Sequence, residues 1–473
     1  MSQYSKHIKT LFLVLLSMCF LSSGFYKNQW KVADQKWFIG FQRDSESMVV
    51  GKLVKSQRDG IFAAGGLLGS VIKEPYVSGD LKEPPWSSRK FEFQYEAYDK
   101  NSDFKGYIPY ESQIGGQGIL LSFLDLIMGR FSQHIIDFLR YAVSLFSAAA
   151  LTFIIIWFYR QMGGFVALFV LLTTLFSPWL VVFGRNLFWF IGGYYLPLIV
   201  FMHFLDQKAG AKPLTLNNAH WFLLAFLCVL MKCFFTGYDY LTVSLIMMMS
   251  VVVYYGILYQ WEVKEFIGRL IAMILGSCFA FFISLIILFY QISSYSGNIW
   301  AGVHHIIYAI CKRTHWIDPT GYNPSKLAYL KVSCASIISS YLKGPFGGRS
   351  SNSYHFIHLF AYWHLIVLFL FVSLVLFFYR SKTDPAENRK IRALIGALWF
   401  SILGPLSLFC IFKQHACTQT HFNFIVWHMP FMIYGFALCG VLIKNFSLDL
   451  CFLFLTNLTS WFKERIKKQL RYF

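Results

Sequence analysis

Long apolar runs separated by short polar segments dominate this chain. They cover residues 11–25, 134–158, 163–183, 187–205, 220–236, 238–258, 267–290, 355–379, 393–412 and 422–443. Each run is close to the length that crosses the apolar core of a bilayer, so the pattern predicts ten transmembrane helices. The boundary at Gly237 is the least distinct, because two of these helices would meet there with almost no loop.

The polar segments between the runs divide the chain into six parts. We expect a first transmembrane helix acting as a signal anchor (1–25), an outer loop with juxtamembrane helices (26–133), transmembrane helices 2–7 (134–290), a second outer loop (291–354), transmembrane helices 8–10 (355–443) and a basic amphipathic cytoplasmic tail (444–473). A cytoplasmic N-terminus puts the basic connections and the tail on the inner side, as the positive-inside rule requires. Both termini are therefore expected in the cytoplasm.

The first outer loop contains two stretches that predict short helices lying on the membrane surface. From Asp44 onward, apolar residues recur at helical spacing and polar residues occupy much of the opposite side. The apolar members are Met48, Val49, Leu53 and Val54, and the polar members are Ser47, Lys52, Lys55 and Ser56. The second stretch, 119–127, follows a predicted turn at Gly115-Gly116 and is too short to span a bilayer. The predicted fold class is thus an all-α polytopic membrane protein with two interfacial helices.

Composition supports an integral membrane protein and argues against nucleic-acid binding. The chain is 56% hydrophobic and only 14% charged, whereas about a quarter of a soluble domain's residues are charged. The formal net charge of +19 could indicate nucleic-acid binding, but the segment 26–117 is nearly neutral. The basic excess lies mostly in short connections and in the tail, which indicates acidic phospholipid headgroups rather than nucleic acid.

The ten cysteines show no metal-ligand spacing such as CxxC. Most of them lie inside apolar runs, where a free cysteine behaves as a small hydrophobic residue. Cys311 and Cys334 share the second outer loop, so they can form a disulfide in an oxidising compartment. Spacing alone does not decide whether they do.

Charged and polar residues at the predicted outer ends of the spans are the candidates for function, because charges at membrane depth are costly. They are Arg185, Asn186, Lys232, Asp239, Arg349, Lys413, His415 and His421, with Asn423, His355 and His358 nearby. Asp44 and Glu46, at the start of the first interfacial helix, are the candidate catalytic acids. Several cations and one or two carboxylates on one membrane face suit an anionic lipid headgroup and an acceptor hydroxyl.

Each candidate also has a purely structural interpretation. Arg185 can simply extend to the membrane interface, and Lys232 with Asp239 can be a buried structural pair. Asp44 can serve as a helix cap, a position at which aspartate is favoured. His421 lies seven residues before His428, on the same helical side, as in a packed polar seam.

This layout resembles the membrane glycosyltransferases of the GT-C class, which include protein O-mannosyltransferases and the aminoarabinose transferases of lipid A. The resemblance covers the whole chain in layout. In detail it rests on GRNLFWFIGGYYLPL, TGYDY and HFNFIVWHMPF, which resemble segments of uncharacterised bacterial membrane proteins that look GT-C-like, and on GGQGILLSFLDLI, which corresponds to the second juxtamembrane helix. The class carries its catalytic acid in the first outer loop, next to two juxtamembrane helices. This chain departs from the class in lacking an acidic pair directly after the first span, since Ser45 separates Asp44 from Glu46.

The resemblance implies an integral protein of a bacterial inner membrane that transfers a sugar from a polyprenyl-phosphate carrier to a glycan, lipid or protein acceptor. Asp44 or Glu46 would take the acceptor's proton, and Arg185, Lys232 or Lys413 would hold the leaving phosphate. No cofactor is required, because phosphate leaves as an anion. A divalent metal is possible through Asp44, Glu46 and Asp239.

Two other functions stay open from the sequence. A lipid-linked glycan polymerase or ligase would use arginine and histidine in a late outer loop, where this chain has Arg313, His315 and Arg349. A transporter or flippase of lipid-linked sugars needs no catalytic acid. The absence of an internal repeat and the large first outer loop weigh against transport.

Overall fold

The computed structural model describes residues 3–73, 91–129, 135–207, 217–314, 332–348, 359–378 and 385–446. Within these ranges the chain is mostly helical. The helices are α1 (Gln3–Lys27), α2 (Gln35–Gly40), α3 (Arg43–Asp59), α4 (Phe91–Lys100), α5 (Gly116–Met128), α6 (Ile135–Met162), α7 (Gly164–Leu175), α8 (Pro178–Phe183), α9 (Ile191–Gln207), α10 (Asn218–Thr236), α11 (Leu241–Leu258), α12 (Val263–Ser296), α13 (Ile299–Thr314), α14 (Cys334–Lys343), α15 (Tyr362–Phe378), α16 (Pro385–Ser401), α17 (Leu403–Ile411), α18 (Lys413–Thr418), α19 (Thr420–Asn423) and α20 (Phe431–Phe446).

Six helical segments in the described ranges are long and apolar enough to cross a membrane, and a seventh is possible as a bent pair. They are α1, α6, α10, α11, α12 and the continuous segment Pro385–Ile411; the bent pair joins Thr420–His428 to α20 at 44°. This is a many-helix membrane protein. The predicted count of ten spans is not confirmed, since α7, α9 and α15 are apolar but shorter. The predicted span 163–183 is broken, because Ser177 caps a new helix by accepting from Leu180 N at 3.4 Å.

The first outer segment contains a small sheet that the sequence did not predict, so the fold is not purely helical. Strands β1 (Gly69–Ile72) and β2 (Gly106–Pro109) pair antiparallel, with Gly69 opposite Pro109 and Ile72 opposite Gly106. The carboxamide of Gln94 covers the other edge of β1. It accepts from Val71 N at 2.8 Å and donates to Val71 O at 2.9 Å, as a neighbouring strand would.

Helix α3 exists as predicted, but it does not lie on the surface with a polar side in water. The predicted polar residues Ser47, Lys52 and Ser56 are as buried as the apolar ones. The reason is that α4, β1 and α5 all pack against α3, which leaves no free side for most of its length. Gly51 permits the closest contact, because a Cβ there would stand 2.3 Å from the Gly69 carbonyl oxygen.

The second short helix, α5, is also confirmed, and a polar network attaches it to α3 and α4. Asp125 is 2% exposed, and its carboxylate accepts hydrogen bonds from Gln57 Nε2, at 2.9 Å, and from the Tyr98 hydroxyl. Burial raises the pKa of this carboxyl above its ordinary value. The network joins α3, α4 and α5 into one unit.

The junction at Gly237 is as short as expected. Helices α10 and α11 are separated by only four residues, and Gly237 adopts a φ of +64°, which favours glycine. The ammonium of Lys232 donates to the Gly237 carbonyl at 2.8 Å and so closes the turn.

The second outer loop places α13 against α12 and α18, and α14 against α15, α17 and α18. Cys311 on α13 and Cys334 on α14 are both free thiols, so the disulfide considered from the sequence is not formed.

Candidate functional site

A buried ion pair joins the first outer segment to the membrane helices. Glu46 on α3 is 5% exposed, and Arg140 in the first turns of α6 donates to both its oxygens. The distances are 3.0 Å from Nε to Oε1 and 2.9 Å from Nη2 to Oε2. The Tyr95 hydroxyl of α4 adds a third donor to Oε2 at 3.0 Å. Glu46 is therefore fully engaged by protein groups, and burial with the nearby carboxylate raises the pKa of Tyr95.

The second predicted acid, Asp44, has a different environment. Its side chain is exposed, and within the described ranges its carboxylate has neither a hydrogen bond nor an ion pair. Two residues along an α-helix correspond to a rotation of about 200°, so Asp44 and Glu46 point to different sides of α3. The structure thus separates the two acids into one free carboxylate and one paired carboxylate.

Arg185 lies beside this ion pair without a carboxylate of its own. It follows α8, and its guanidinium lies over the Phe38 ring at 4.3 Å from the centroid. Burial, together with the nearby charge of Arg140, lowers its pKa below the ordinary value, although arginine stays protonated. Across the described chain no carboxylate lies within ion-pair distance of Arg185. A half-buried guanidinium in this position can bind an anion.

The neighbouring residue, Asn186, organises the loop that carries Arg185. Its Nδ2 donates to the Phe41 carbonyl at 3.2 Å, and its Oδ1 accepts from the backbone N–H groups of Phe188 and Trp189, both at 3.0 Å. These three bonds occupy the carboxamide. Asn186 therefore positions Arg185, whereas the sequence suggested direct binding to a substrate.

A second polar cluster forms around Asp239, at the junction of α10 and α11. Arg313, at the end of α13, approaches the Asp239 carboxylate at 3.6 Å from Nη2 to Oδ1, and it also hydrogen-bonds Tyr110. Lys232 is 1% exposed and donates to the backbone carbonyls of Gly237 and Asp239. Lys232 therefore does not pair with the Asp239 side chain, which was the structural alternative. It stabilises the backbone that presents Asp239.

His415 belongs to this second cluster. Its pKa is lowered to about 4, mainly by burial, and it interacts electrostatically with both Asp239 and Arg313. The imidazole is thus neutral at pH 7, and its Nε2 is buried without a hydrogen-bond partner among the described groups. Two neighbours hold its backbone in place, since Asn423 Nδ2 approaches the His415 carbonyl at 3.5 Å and the Tyr240 hydroxyl donates to Asn423 Oδ1 at 2.9 Å.

The remaining candidates from the sequence are not brought into either cluster. Lys413 is half-exposed near Cys417, and His421 is exposed with its ring against Phe422. His428 is buried elsewhere, between Ser177 and Tyr362. Arg349, together with His315, His355 and His358, lies outside the described residues.

An apolar cavity of about 350 Å³ lies next to the first cluster. Its walls come from α5, α6, α9, α10 and the loop after Arg185, and Gln117 of α5 is the polar residue in the lining. The lining residue Val143 follows Arg140 by three positions on α6, and Leu187 follows Arg185 by two. The cavity therefore begins close to the cationic groups of the first cluster.

Sequence reasoning missed Arg140, Tyr95 and Gln117. Arg140 could have been found by the criterion already applied elsewhere, since it is a charge inside an apolar run. Tyr95 and Gln117 have no such signal, because tyrosine and glutamine are ordinary in a polar loop.

No metal site emerges from these residues. In the part of the chain that the structure describes, no three histidine, cysteine, aspartate or glutamate side chains lie together. Glu46 is occupied by Arg140 and Tyr95, and Asp239 belongs to the other cluster, so the three acids considered for a metal are not assembled.

In comparisons with known proteins, no family model, no curated protein and no solved structure matches this chain.

Proposed function

We propose that this protein is a glycosyltransferase of the GT-C type, which moves a sugar from a polyprenyl-phosphate carrier to an acceptor on the outer membrane face. The observation that carries the proposal is Arg185, a half-buried guanidinium that has no carboxylate within ion-pair distance in the described ranges. It lies beside Arg140, and Asp44, whose carboxylate is free within the described ranges, lies in the first turn of the helix that contributes Glu46. Such a transfer requires an anion site and a base, and the proposal assigns these roles to Arg185 and Asp44.

The chemistry is a single displacement with inversion. The acceptor hydroxyl gives its proton to the Asp44 carboxylate while its oxygen attacks the anomeric carbon of the sugar. The bond between that carbon and the phosphate oxygen breaks, and its electron pair leaves with the lipid phosphate. Arg185 stabilises the negative charge that develops on this phosphate, so no protonating acid is needed. The products are the glycosylated acceptor, the lipid phosphate and a protonated Asp44.

Glu46 is the weaker choice of base. Three donors from Arg140 and Tyr95 already occupy its oxygens, so its carboxylate is engaged by protein groups rather than free for an acceptor hydroxyl. Its role in the proposal is to hold Arg140 at the anion site.

The test is sugar transfer by the purified protein in nanodiscs, with a radiolabelled sugar on a polyprenyl phosphate and envelope membranes as acceptor. Asp44→Asn should abolish transfer while leaving folding and membrane insertion intact. Asp59→Asn is the matched control, because Asp59 lies at the opposite end of the same helix and pairs with Lys55 and Arg58. Full activity of Asp44→Asn would remove Asp44 as the base and move that role to Glu46 or Asp239.

A second candidate is a lipid-linked glycan polymerase or ligase. Its support is the ion pair of Arg313, from the second outer loop, with Asp239, and the electrostatic interaction of both residues with His415. This candidate predicts that Arg313→Gln removes activity while Asp44→Asn keeps it. A pure transporter or flippase is excluded if the purified protein consumes the lipid-linked sugar.

A further inference from the structure

Two cysteines that are remote in sequence lie side by side in the fold. Cys334 is the first residue of α14, and Cys410 is the second-last residue of α17. Both are free thiols, and they hydrogen-bond each other. Thiols in such contact are close enough for side-chain rotation to bring the two sulfurs to bonding distance.

The packing of α14 supports this contact independently. Cys334, Ile337 and Tyr341 follow one another at helical spacing, so they share one side of α14. Ile337 and Tyr341 are almost fully buried. The Tyr341 ring stacks on the ring of Phe409, the residue before Cys410, with 4.1 Å between the centroids. The side of α14 that carries Cys334 is therefore the side that packs against α17. Cys311, the partner considered from the sequence, lies on α13, which packs against α12 and α18.

An oxidant in water can reach this pair. The side chain of Cys410 is exposed and that of Cys334 is partly exposed. The membrane-spanning segment Pro385–Ile411 ends one residue after Cys410, so this thiol lies at the end of the span rather than at its centre. The charge pattern of the sequence predicts that this end faces away from the cytoplasm, the side on which disulfides persist.

We infer that Cys334 and Cys410 are a redox modification site, at which a reversible disulfide fastens α14 to α17. The oxidant is a small disulfide such as oxidised glutathione. The Cys410 thiolate attacks it, which forms a mixed disulfide and releases one glutathione. The Cys334 thiolate then attacks the Cys410 sulfur and releases the second glutathione. The protein gives up two electrons and two protons, and the oxidant becomes two thiols.

The disulfide would also restrain the segment that leads into the second polar cluster. The Tyr341 hydroxyl donates to the Ala416 carbonyl at 2.7 Å, and Ala416 directly follows His415. Fastening α14 to α17 therefore holds α14 over the helix that carries His415. The disulfide forms whether or not the protein transfers sugar.

The test uses the full-length protein in nanodiscs, equilibrated with oxidised and reduced glutathione. Free thiols are alkylated, the protein is digested without reductant, and the peptides are identified by mass spectrometry. A peptide pair that joins Cys334 to Cys410 should accumulate under oxidation and disappear with dithiothreitol. Hydrogen exchange of the α14 backbone should slow at least about tenfold on oxidation, because a cross-link opposes local opening.

Three single variants locate the effect. Cys311→Ser and Cys417→Ser are the matched controls, since both remove other thiols from the same region, and both should keep the linked peptide. Cys334→Ser should remove the link and the slowed exchange, and Cys410 should then be recovered as a mixed disulfide with glutathione. Linkage of Cys334 to Cys311 or Cys417 would overturn the inference, as would recovery of both Cys334 and Cys410 as alkylated thiols in oxidised glutathione. Unchanged exchange of α14 in the linked protein would show that the disulfide does not fasten this helix. All of these results are independent of any transferase assay.

Discussion

Glu46 and Arg140 are separated by 94 positions in the sequence and form a two-pronged ion pair at 2.9 and 3.0 Å. This pair ties α3 to the N-terminal end of α6. With Glu46 held on one side of α3, Asp44 is turned to the other side and left free. One contact between distant residues thus assigns different roles to two acids that look alike in the sequence.

Breaking this pair should destabilise the protein. Glu46→Gln removes the two-pronged carboxylate partner of the partly buried Arg140 and leaves it only the exposed Asp137 at 3.1 Å, so we expect a loss of about 1–3 kcal/mol in the free energy of unfolding. Chemical unfolding in detergent measures it. Glu46→Gln combined with Arg140→Met should recover most of the loss, because the cation that lost its two-pronged partner is then gone. An unchanged free energy of unfolding in Glu46→Gln would show that the pair does not hold α3 against α6.

Arg185→Met should affect activity and leave stability unchanged or slightly higher, since it removes a half-buried cation that has no acidic partner in the described ranges. If Arg185 holds the leaving phosphate, kcat/KM for the lipid-linked sugar should fall on the order of 100-fold. Arg160→Met is the control. Arg160 lies in the last turn of α6, at the end opposite to Arg140, and it pairs with Asp206 at 3.1 Å. Equal activity of both variants would exclude Arg185 as the phosphate ligand.

Lys52 should make stability rise with pH in the alkaline range. Burial, together with the nearby charge of Lys55, lowers its pKa from 10.5 to about 8, and its ammonium donates to the Ala63 carbonyl at 2.8 Å. Between these two pH values the unfolded chain holds the proton and the folded protein does not. The free energy of unfolding should therefore increase from pH 8 to 10.5, by at most about 3 kcal/mol.

The measurement for Lys52 is the difference between wild-type protein and Lys52→Met over that range, because other groups also titrate there. The variant should lack this part of the pH dependence. Parallel curves for the two proteins would mean that Lys52 is not desolvated in the folded state.

Asp239→Asn should show which of the two polar clusters carries the catalytic base. The substitution removes the anionic partner of Arg313, so we expect a loss of about 1–3 kcal/mol of stability, as for a buried charged group that loses a hydrogen-bond partner. If Asp44 is the base, the stable fraction of Asp239→Asn should still transfer sugar with an unchanged pH profile. Loss of all activity in a folded Asp239→Asn variant, with Asp44→Asn active, would transfer the catalytic role to the second cluster.

Local patterns predicted the two short helices of the first outer segment, because helical periodicity is a property of neighbouring residues. Helix α3 begins at Arg43 and α5 at Gly116, close to the predicted starts. The same periodicity misjudged the surroundings of α3. The pattern predicted that only the apolar side of α3 would be packed, whereas α4, β1 and α5 cover Lys52 and Ser56 as well. The strands β1 and β2 were missed because each has only four residues and is stabilised by pairing across a long loop.

The sequence by itself determined that this is a helical membrane protein with a polar segment after its first apolar helix, because the length and composition of apolar runs are one-dimensional properties. It also marked Arg185, Asp239 and His415 as unusual, since charge is costly at membrane depth wherever the chain goes. Only the tertiary structure decided that Glu46 is paired, that Asp44 and Arg185 have no partner among the described residues, and that Gln117 lines a cavity. Each of these facts depends on distances between residues that are remote in sequence, and electrostatic and hydrogen-bond energies depend on such distances rather than on spacing along the chain.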